Sequence, residues 1–137
     1  MTAAQPAPVG AVPDPRPLVV ATPDGMRQIS GARCTACAYP VAEVLVRCPV
    51  CGGECEPAQF GPAATVFAAT VLRVPVPGRA PPYALAYVDL DDGPRVLAHV
   101  DRTDSALVPG TSVWLAGTTE QGDPLVTDRQ PIGAARG

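Results

Sequence analysis

The clearest chemistry in this sequence belongs to its cysteines, four of which form two Cys-x-x-Cys pairs. Cys34 and Cys37 make the first pair, Cys48 and Cys51 make the second, and ten residues lie between the pairs. A tight turn within each pair brings two sulfurs together, so two facing turns supply four soft ligands in a tetrahedron. Such pairs are usually separated by roughly 15 to 20 residues, but the shorter gap still suffices for a hairpin. The pattern predicts one structural Zn²⁺ ion, with iron and a redox or disulfide role as open alternatives.

The same pattern argues against a catalytic site. Four thiolates close the zinc shell and leave no open position for water or substrate. A nucleophilic cysteine needs a base within hydrogen-bond reach, and the single histidine, His99, falls on a predicted strand. A hairpin turn accounts for the acidic residues Asp89, Asp91 and Asp92. We therefore predict no catalytic residue, and Cys55 remains as a spare thiol, with ligand exchange or a redox role left open.

Composition and charge argue against two further classes, nucleic-acid-binding proteins and membrane-spanning proteins. The chain has 137 residues and a net charge of −3, and all ten of its basic residues are arginine. A general nucleic-acid binder needs a basic face, so this balance disfavours one without excluding a local arginine patch. No apolar run reaches the length of about 18 residues that a membrane span needs, and no secretory signal begins the chain. Cysteines at metal spacing fit a reducing compartment, so we expect a cytoplasmic protein.

Two segments precede and hold the cysteine pairs. Residues 1–24 are rich in proline and alanine and predict a flexible tail, within which a short apolar run at 18–21 indicates a strand before a turn at 23–25. We predict that residues 25–58 form the metal hairpin, in which the segment 44–46 leads back toward the second cysteine pair. Gly52 follows the second pair and suits a left-handed backbone, whereas Ala38 stands in the matching place after the first.

The rest of the chain, 59–131, reads as all-β. Five strand patterns are separated by turn signals or proline, at 64–72, 83–90, 95–100, 112–117 and 124–128. The proline-rich segment 75–82 cannot be a central strand, and 104–108 suggests one helical turn. Five strands predict a small closed barrel of the OB type, with an open sandwich as the alternative, followed by a short tail at 132–137.

The order of these parts resembles the DUF35 family, in which a rubredoxin-like zinc ribbon precedes an OB-fold domain. The ribbon residues that carry the resemblance are Ser30-Gly31-x-Arg33-Cys34-x-x-Cys37, Tyr39-Pro40 and Cys48-Pro49-x-Cys51-Gly52. The barrel adds Gly61-Pro62, Thr65-Val66-Phe67, Pro82-Tyr83, Asp91-Asp92-Gly93 and Pro109-Gly110. The likeness covers roughly residues 25 to 130. Ala38 departs from the glycine usual in the family, and the N-terminal helix of many members is not visible.

The resemblance implies an accessory subunit that is not itself an enzyme. Proteins of this family resemble the small partners of thiolase-like enzymes that act on acyl-CoA, and the catalytic residues belong to the larger partner. On this basis we expect binding to a thiolase-like or ketoacyl-synthase-like protein and contact with acyl-CoA within the complex. Arg73 precedes the proline-rich segment and Arg79 lies within it, and a guanidinium matches phosphate geometry, so they are candidates for the CoA phosphates.

Single-stranded nucleic-acid binding is the alternative function. Zinc ribbons and OB barrels both bind single strands through aromatic platforms and a basic groove. The predicted barrel offers the aromatic residues Phe67, Tyr83, Tyr87 and Trp114, and the arginines Arg73, Arg79, Arg95 and Arg102. Aromatic side chains in small barrels more often belong to the core.

Overall fold

The computed structural model describes residues 16–131, and this part of the chain folds into nine β-strands and no helix. The strands are β1 (Leu18–Ala21), β2 (Arg27–Cys34), β3 (Pro40–Val41), β4 (Cys55–Phe60), β5 (Ala63–Leu72), β6 (Tyr83–Leu90), β7 (Arg95–Val100), β8 (Ser112–Thr118) and β9 (Pro124–Thr127). The first four strands form an open sheet, and the last five form a closed barrel. Within residues 16–131, no helix is long and apolar enough to cross a membrane.

The open sheet is built around β2. Strand β1 pairs antiparallel with the first half of β2, from Leu18 opposite Ser30 to Ala21 opposite Arg27. The turn between them is closed by the Gly25 amide, which donates to Thr22 O over 2.9 Å with Gly25 at φ 87°. The strand indicated at 18–21, within the segment 1–24, thus forms and pairs with β2. Residues 1–15 and the predicted tail at 132–137 lie outside the described residues.

Strand β4 was not predicted, since its sequence is polar and contains Pro57. It pairs antiparallel with β2 from Ile29 opposite Phe60 to Cys34 opposite Cys55. Proline is tolerated here because β4 is an edge strand and a missing amide can face away from the sheet. The segment 44–46 forms no strand. The pairing carries the metal hairpin's sheet up to Phe60, directly before the barrel.

The barrel closes in the strand order β5-β6-β7-β9-β8, with β8 returning to β5. All neighbours are antiparallel except β7 and β9, which are parallel. The long strand β5 changes register between Val66 and Ala68, a bulge that lets one strand bend between two partners. The predicted all-β architecture, a cysteine ribbon followed by a five-stranded OB barrel, is confirmed.

One apolar core joins the two sheets. Valines and leucines from all five barrel strands fill it, and Ile29 of β2 and Phe60 of β4 belong to the same cluster. Gly93 lies under Phe60, and a Cβ there would come within 2.8 Å of the Phe60 ring. Glycine is thus required where the end of the open sheet packs on the β6–β7 turn.

The loops follow the predictions with one exception. The turn at Asp91–Gly93 is closed by the Gly93 amide, which donates to Leu90 O. No regular strand forms between β5 and β6, as the prolines predicted. The predicted helical turn at 104–108 is wrong, because Leu107 is buried in the core and the following backbone binds β5. There the Gly110 amide donates to Val66 O, and the Val66 amide donates to Thr111 O.

Candidate functional site

The structure brings the four predicted ligands together. Their sulfurs lie within 4.8 Å of one another. Cys34 Sγ is 3.5 Å from Cys51 Sγ, and Cys37 Sγ is 3.6 Å from Cys48 Sγ. Cys34 and Cys48 are buried, whereas Cys37 and Cys51 are exposed. Strand β2 delivers Cys34 directly, and the other three sulfurs are placed by the two turns.

The two turns have matching backbone geometry. In the first, the Ala38 amide donates to Cys34 O, and in the second, the Gly52 amide donates to Cys48 O, both over 3.0 Å. Ala38 and Gly52 both adopt left-handed backbones, with φ of 65° and 76°. The sequence comparison of Ala38 with Gly52 thus identified a genuine backbone match, and Ala38 adopts it despite its Cβ.

Backbone amides point at the sulfurs in both turns. The amides of Ala36 and Cys37 donate to Cys34 Sγ over 3.4 Å. In the second turn, the Val50 amide donates to Cys48 Sγ over 3.3 Å and the Gly53 amide to Cys51 Sγ over 3.4 Å. Such bonds stabilise a thiolate and orient it as a ligand. The arrangement is therefore built to hold negatively charged sulfur.

The pKa values of two neighbouring thiols in the cluster are shifted in opposite directions. The Cys37 amide, opposed by burial, lowers the pKa of Cys34 to about 6. The Tyr39 amide lowers the pKa of Cys37, but burial and three neighbouring sulfurs together raise it to about 12. Adjacent thiolates repel one another, so all four can ionise together only with a cation among them. The donor set is four soft sulfurs, which fits a divalent metal ion of the zinc class.

Cys55 lies beside this cluster without being part of it. It is the strand partner of Cys34, on β4, and is partly buried. Burial raises the pKa of the Cys55 thiol, and the charges of Cys34, Cys48 and Cys51 raise it further. The fifth sulfur is thus a thiol in direct reach of a predicted ligand. Sequence spacing alone did not reveal this, because the contact depends on the pairing of β4 with β2.

Arg33 connects the metal centre to the barrel. Its Nη1 donates to Ala38 O over 2.9 Å, and its Nη2 donates to Asp92 O over 2.5 Å. The guanidinium also lies over the Phe60 ring, 5.4 Å from its centroid. One planar side chain therefore ties the left-handed residue of the first turn to the tip of the β6–β7 hairpin. Sequence analysis did not identify this connection, which spans 59 residues.

A polar cluster at Asp123 holds the proline-rich segment and includes the single histidine. Arg79 Nη2 is hydrogen-bonded to Asp123, and Arg16 Nη1 lies 3.6 Å from the same carboxylate. His99 Nε2 is 3.5 Å from Asp123 Oδ2, and its ring stacks on Tyr83. Burial lowers the pKa of His99, and the charge of Arg79 lowers it further. His99 and Arg79 thus hold the base of this loop, and Arg79 already has an anionic partner.

The other arginines considered for nucleic acid are engaged with carboxylates. Arg95 makes two hydrogen bonds to Asp89, and Arg102 is hydrogen-bonded to Asp128. Of the aromatic candidates, Trp114 is buried and packs on Ala63. Arg73 is exposed. A continuous basic groove lined with aromatic faces is therefore not assembled within the described part of the chain.

Exposed apolar side chains lie together on an outer face of the barrel that adjoins the ribbon. Tyr87 and Leu97 face each other across β6 and β7 and are 49% and 44% exposed. Arg95 continues this face, because its guanidinium stacks on exposed Phe67, 3.4 Å from the ring centroid. Arg95 also lines a groove of about 550 Å³ between the β6–β7 turn and the metal turns.

Across that groove, the ribbon presents Tyr39, which lines the groove and is 44% exposed, and Leu45, which also lines it. We call this surface the apolar band, and its members are Tyr39, Leu45, Phe67, Tyr87 and Leu97. Exposed apolar groups in one contiguous stretch are typical of surfaces that bind another protein. Two members of the band, Phe67 and Tyr87, were considered above as platforms for nucleic-acid bases.

The barrel part of the chain is similar to known proteins. Residues 58–117 match the family described as ChsH2, C-terminal OB-fold domain. A solved structure, described as the Ltp2-ChsH2(DUF35) aldolase, matches with a TM-score of 0.59. The DUF35 resemblance is confirmed. The structural match has 23% sequence identity and covers 73% of this chain and 84% of the DUF35 chain. No curated protein matches this chain in sequence.

The DUF35 match bears on the barrel more than on the metal centre. Its family segment begins within β4 and ends within β8, so it includes Arg73, Arg79 and most of the barrel. The four cysteines lie before it. The metal centre is therefore supported by its own geometry, with the four sulfurs within 4.8 Å of one another.

Proposed function

We propose that this chain is a non-catalytic accessory subunit that binds a thiolase-like enzyme and helps to form its acyl-CoA site. The apolar band carries the proposal, since it offers a partner one surface that includes both the ribbon and the barrel. The related solved structure supports it, because that DUF35 protein is described together with Ltp2 as an aldolase. His99 is held by Asp123 and Tyr83 on the barrel, and the cysteines lie on the other sheet.

The four cysteines hold one zinc ion in this proposal, and its role is structural. Cys34, Cys37, Cys48 and Cys51 supply all four ligands, which leaves no position for substrate. When bound, zinc offsets the repulsion among the thiolates and fixes the first turn, which leads directly into Tyr39. The metal thereby shapes one end of the apolar band without taking part in the partner's chemistry.

Contact with CoA is assigned to Arg73 in preference to Arg79. The Arg79 guanidinium is already hydrogen-bonded to Asp123, so a phosphate would have to compete with that carboxylate. Arg73 follows Leu72, which lines an apolar groove of about 410 Å³ on the outer face of the barrel. An exposed cation beside an apolar groove suits a ligand with an anionic group and a long apolar chain.

The test is capture of the partner from the source organism with a tagged chain, followed by identification of the bound proteins. We expect a thiolase-like protein in stoichiometric amount. Leu97→Asp on the barrel and Tyr39→Asp on the ribbon, at the two ends of the apolar band, should abolish capture while the fold and metal content are retained. Val108→Asp is the matched control, since Val108 is 71% exposed outside the band. Recovery of nucleic acid without a thiolase-like protein would refute the proposal.

The captured complex also tests the CoA contact. Arg73→Ala should weaken binding of an acyl-CoA several-fold in calorimetry, because one phosphate loses its cation. Arg129→Ala removes another exposed charge, with a side chain 84% exposed, and should leave CoA affinity unchanged. Equal affinities for the wild-type and Arg73→Ala complexes would contradict this assignment and leave the partner proposal standing.

A further inference from the structure

The pairing of β2 with β4 places two cysteines face to face. Cys34 lies opposite Cys55 in the antiparallel register. The Cys34 amide donates to Tyr39 O and the Cys55 amide donates to Val46 O, both over 3.0 Å, so neither donates to the other cysteine. The next amide along, that of Thr35, donates to Glu54 O over 2.9 Å. In an antiparallel sheet, such a hydrogen bond between the adjacent residues marks the pair beside it as a non-hydrogen-bonded pair.

Non-hydrogen-bonded pairs are the close pairs of an antiparallel sheet. Their Cα atoms are about 4.5 Å apart and their side chains point to the same face. A disulfide needs a Cα separation of about 4.4 to 6.8 Å, so Cys34 and Cys55 can be bridged without moving the strands. Of the two, Cys34 is a predicted metal ligand and Cys55 is a thiol outside the ligand set.

We propose that Cys34 and Cys55 form a disulfide when the protein meets a peroxide, and that this bond releases the metal. The inference rests on the proposed metal binding. It assigns Cys55 a regulatory role, as the thiol that removes one ligand from the centre under oxidative stress.

The chemistry requires only hydrogen peroxide as oxidant. One of the two sulfurs takes one oxygen atom from the peroxide, which forms a sulfenic acid and one water. The other sulfur, as a thiolate, then attacks the oxidised sulfur, so the S–S bond forms, the S–O bond breaks, and hydroxide leaves. Two electrons pass from the two sulfurs to the peroxide. The metal then keeps three sulfur ligands instead of four.

The consequence reaches beyond the metal. Cys34 directly follows Arg33, which binds both the first metal turn and the β6–β7 hairpin. Loss of the metal frees the turn that contains Ala38, one of the two carbonyl acceptors of Arg33. Oxidation therefore loosens the ribbon end of the apolar band while the barrel end stays in place.

The experiment exposes the purified full-length protein to hydrogen peroxide and follows metal release with a colorimetric chelator and disulfides by mass spectrometry. Tryptic cleavage after Arg33, Arg47 and Arg73 places Cys34 and Cys37 on one peptide and Cys48, Cys51 and Cys55 on the other. Fragmentation of the linked peptides then distinguishes Cys55 from Cys51. We expect the Cys34–Cys55 link to accumulate in step with metal release, and dithiothreitol with added zinc to reverse both.

Cys55→Ser is the decisive variant. It should bind the same amount of metal as the wild type and release it several-fold more slowly in peroxide, and Cys55→Ala provides a second variant with the same expectation. Equal release rates in wild type and both variants, or links confined to Cys34–Cys51 and Cys37–Cys48, would overturn the proposal. A protein that purifies without metal contradicts the metal assignment alone, because the linked peptide still reports on the cysteine pair.

Discussion

At the scale of single residues, the metal turns depend on two backbone positions more than on side-chain chemistry. Gly52 adopts its left-handed conformation without steric cost, whereas Ala38 has φ 65° with a Cβ present. A left-handed conformation costs a residue with a Cβ roughly 1 to 2 kcal/mol. Metal binding, with apparent folding contributions of about 10 kcal/mol or more in small zinc domains, exceeds that strain. The first turn is therefore the strained half of the centre.

We predict that Ala38→Gly stabilises the metal-loaded protein by up to about 1 kcal/mol. Relief of the left-handed strain exceeds the added entropy of the unfolded chain, which is about 0.4 to 1 kcal/mol. Chemical denaturation in the presence of zinc measures the change in the free energy of unfolding. Ala36→Gly is the matched control within the same turn, and it should be destabilising because Ala36 is not among the residues with positive φ. A destabilised Ala38→Gly protein would contradict the strain argument.

At the scale of elements, the metal hairpin and the β6–β7 hairpin are joined through Arg33. The guanidinium satisfies one carbonyl at each hairpin, and Phe60 packs beneath it on Gly93. Only a planar group with several fixed donors reaches both carbonyls at once. The position of the metal turns relative to the barrel, and with it the shape of the groove within the apolar band, depends on this residue.

We predict that Arg33→Lys loosens both hairpins together. A lysine ammonium cannot span the two carbonyl acceptors, so two hydrogen bonds worth about 0.5 to 1.5 kcal/mol each are lost or weakened. Hydrogen exchange should become faster at 34–38 and at 91–93, with the barrel strands unchanged.

Asp92→Asn is the control for the charge of the same contact. The Asp92 carboxylate lies 3.5 Å from Arg33 but is 96% exposed, and asparagine tolerates the left-handed backbone at φ 51°. This variant should exchange like the wild type, since the backbone acceptor remains. Faster exchange in one hairpin alone after Arg33→Lys would show that the two are not coupled.

At the scale of the whole molecule, the two sheets share a core but differ in what holds them. The barrel has buried valines and leucines on every strand and closes on itself. The open sheet contributes Ile29 and Phe60 to that core. The far end of the open sheet, where Cys34 pairs with Cys55, has mainly the cysteine cluster to hold it together. In the proposed metal-loaded protein, the metal would therefore stabilise one end of the molecule, and apolar burial stabilises the other.

We predict that removing the metal unfolds the ribbon end and leaves the barrel folded. A strong chelator, or Cys48→Ala, should abolish the amide protection of 34–55 in hydrogen exchange, while β5 to β9 stay protected. Elemental analysis should give one zinc per wild-type chain, and Cys55→Ser should retain it. Full protection of 34–55 in a metal-free protein would refute the structural role, and a visible absorption band would indicate iron.

Much of the fold followed from short-range patterns in the sequence. Alternation and turn residues located the five barrel strands, because a strand period of two and a turn such as Asp91-Asp92-Gly93 are local properties. The polar strand β4 escaped prediction, since its pairing with β2 is imposed by residues more than twenty positions away. The helical turn predicted at 104–108 failed for the same reason. Leu107 is buried against the core, and this long-range packing replaces the helical turn that the neighbouring residues suggested.

The cysteine spacing by itself determined the four-cysteine cluster, because a Cys-x-x-Cys turn fixes the direction of its sulfurs within four residues. The match of Ala38 with Gly52 could be recognised for the same reason. Only the tertiary structure decided what surrounds the centre. It placed Cys55 opposite Cys34, Arg33 between two hairpins, Asp123 against Arg79, and the apolar band across both sheets. Each of these contacts joins residues far apart in the chain, and no local pattern encodes which distant strand will pair.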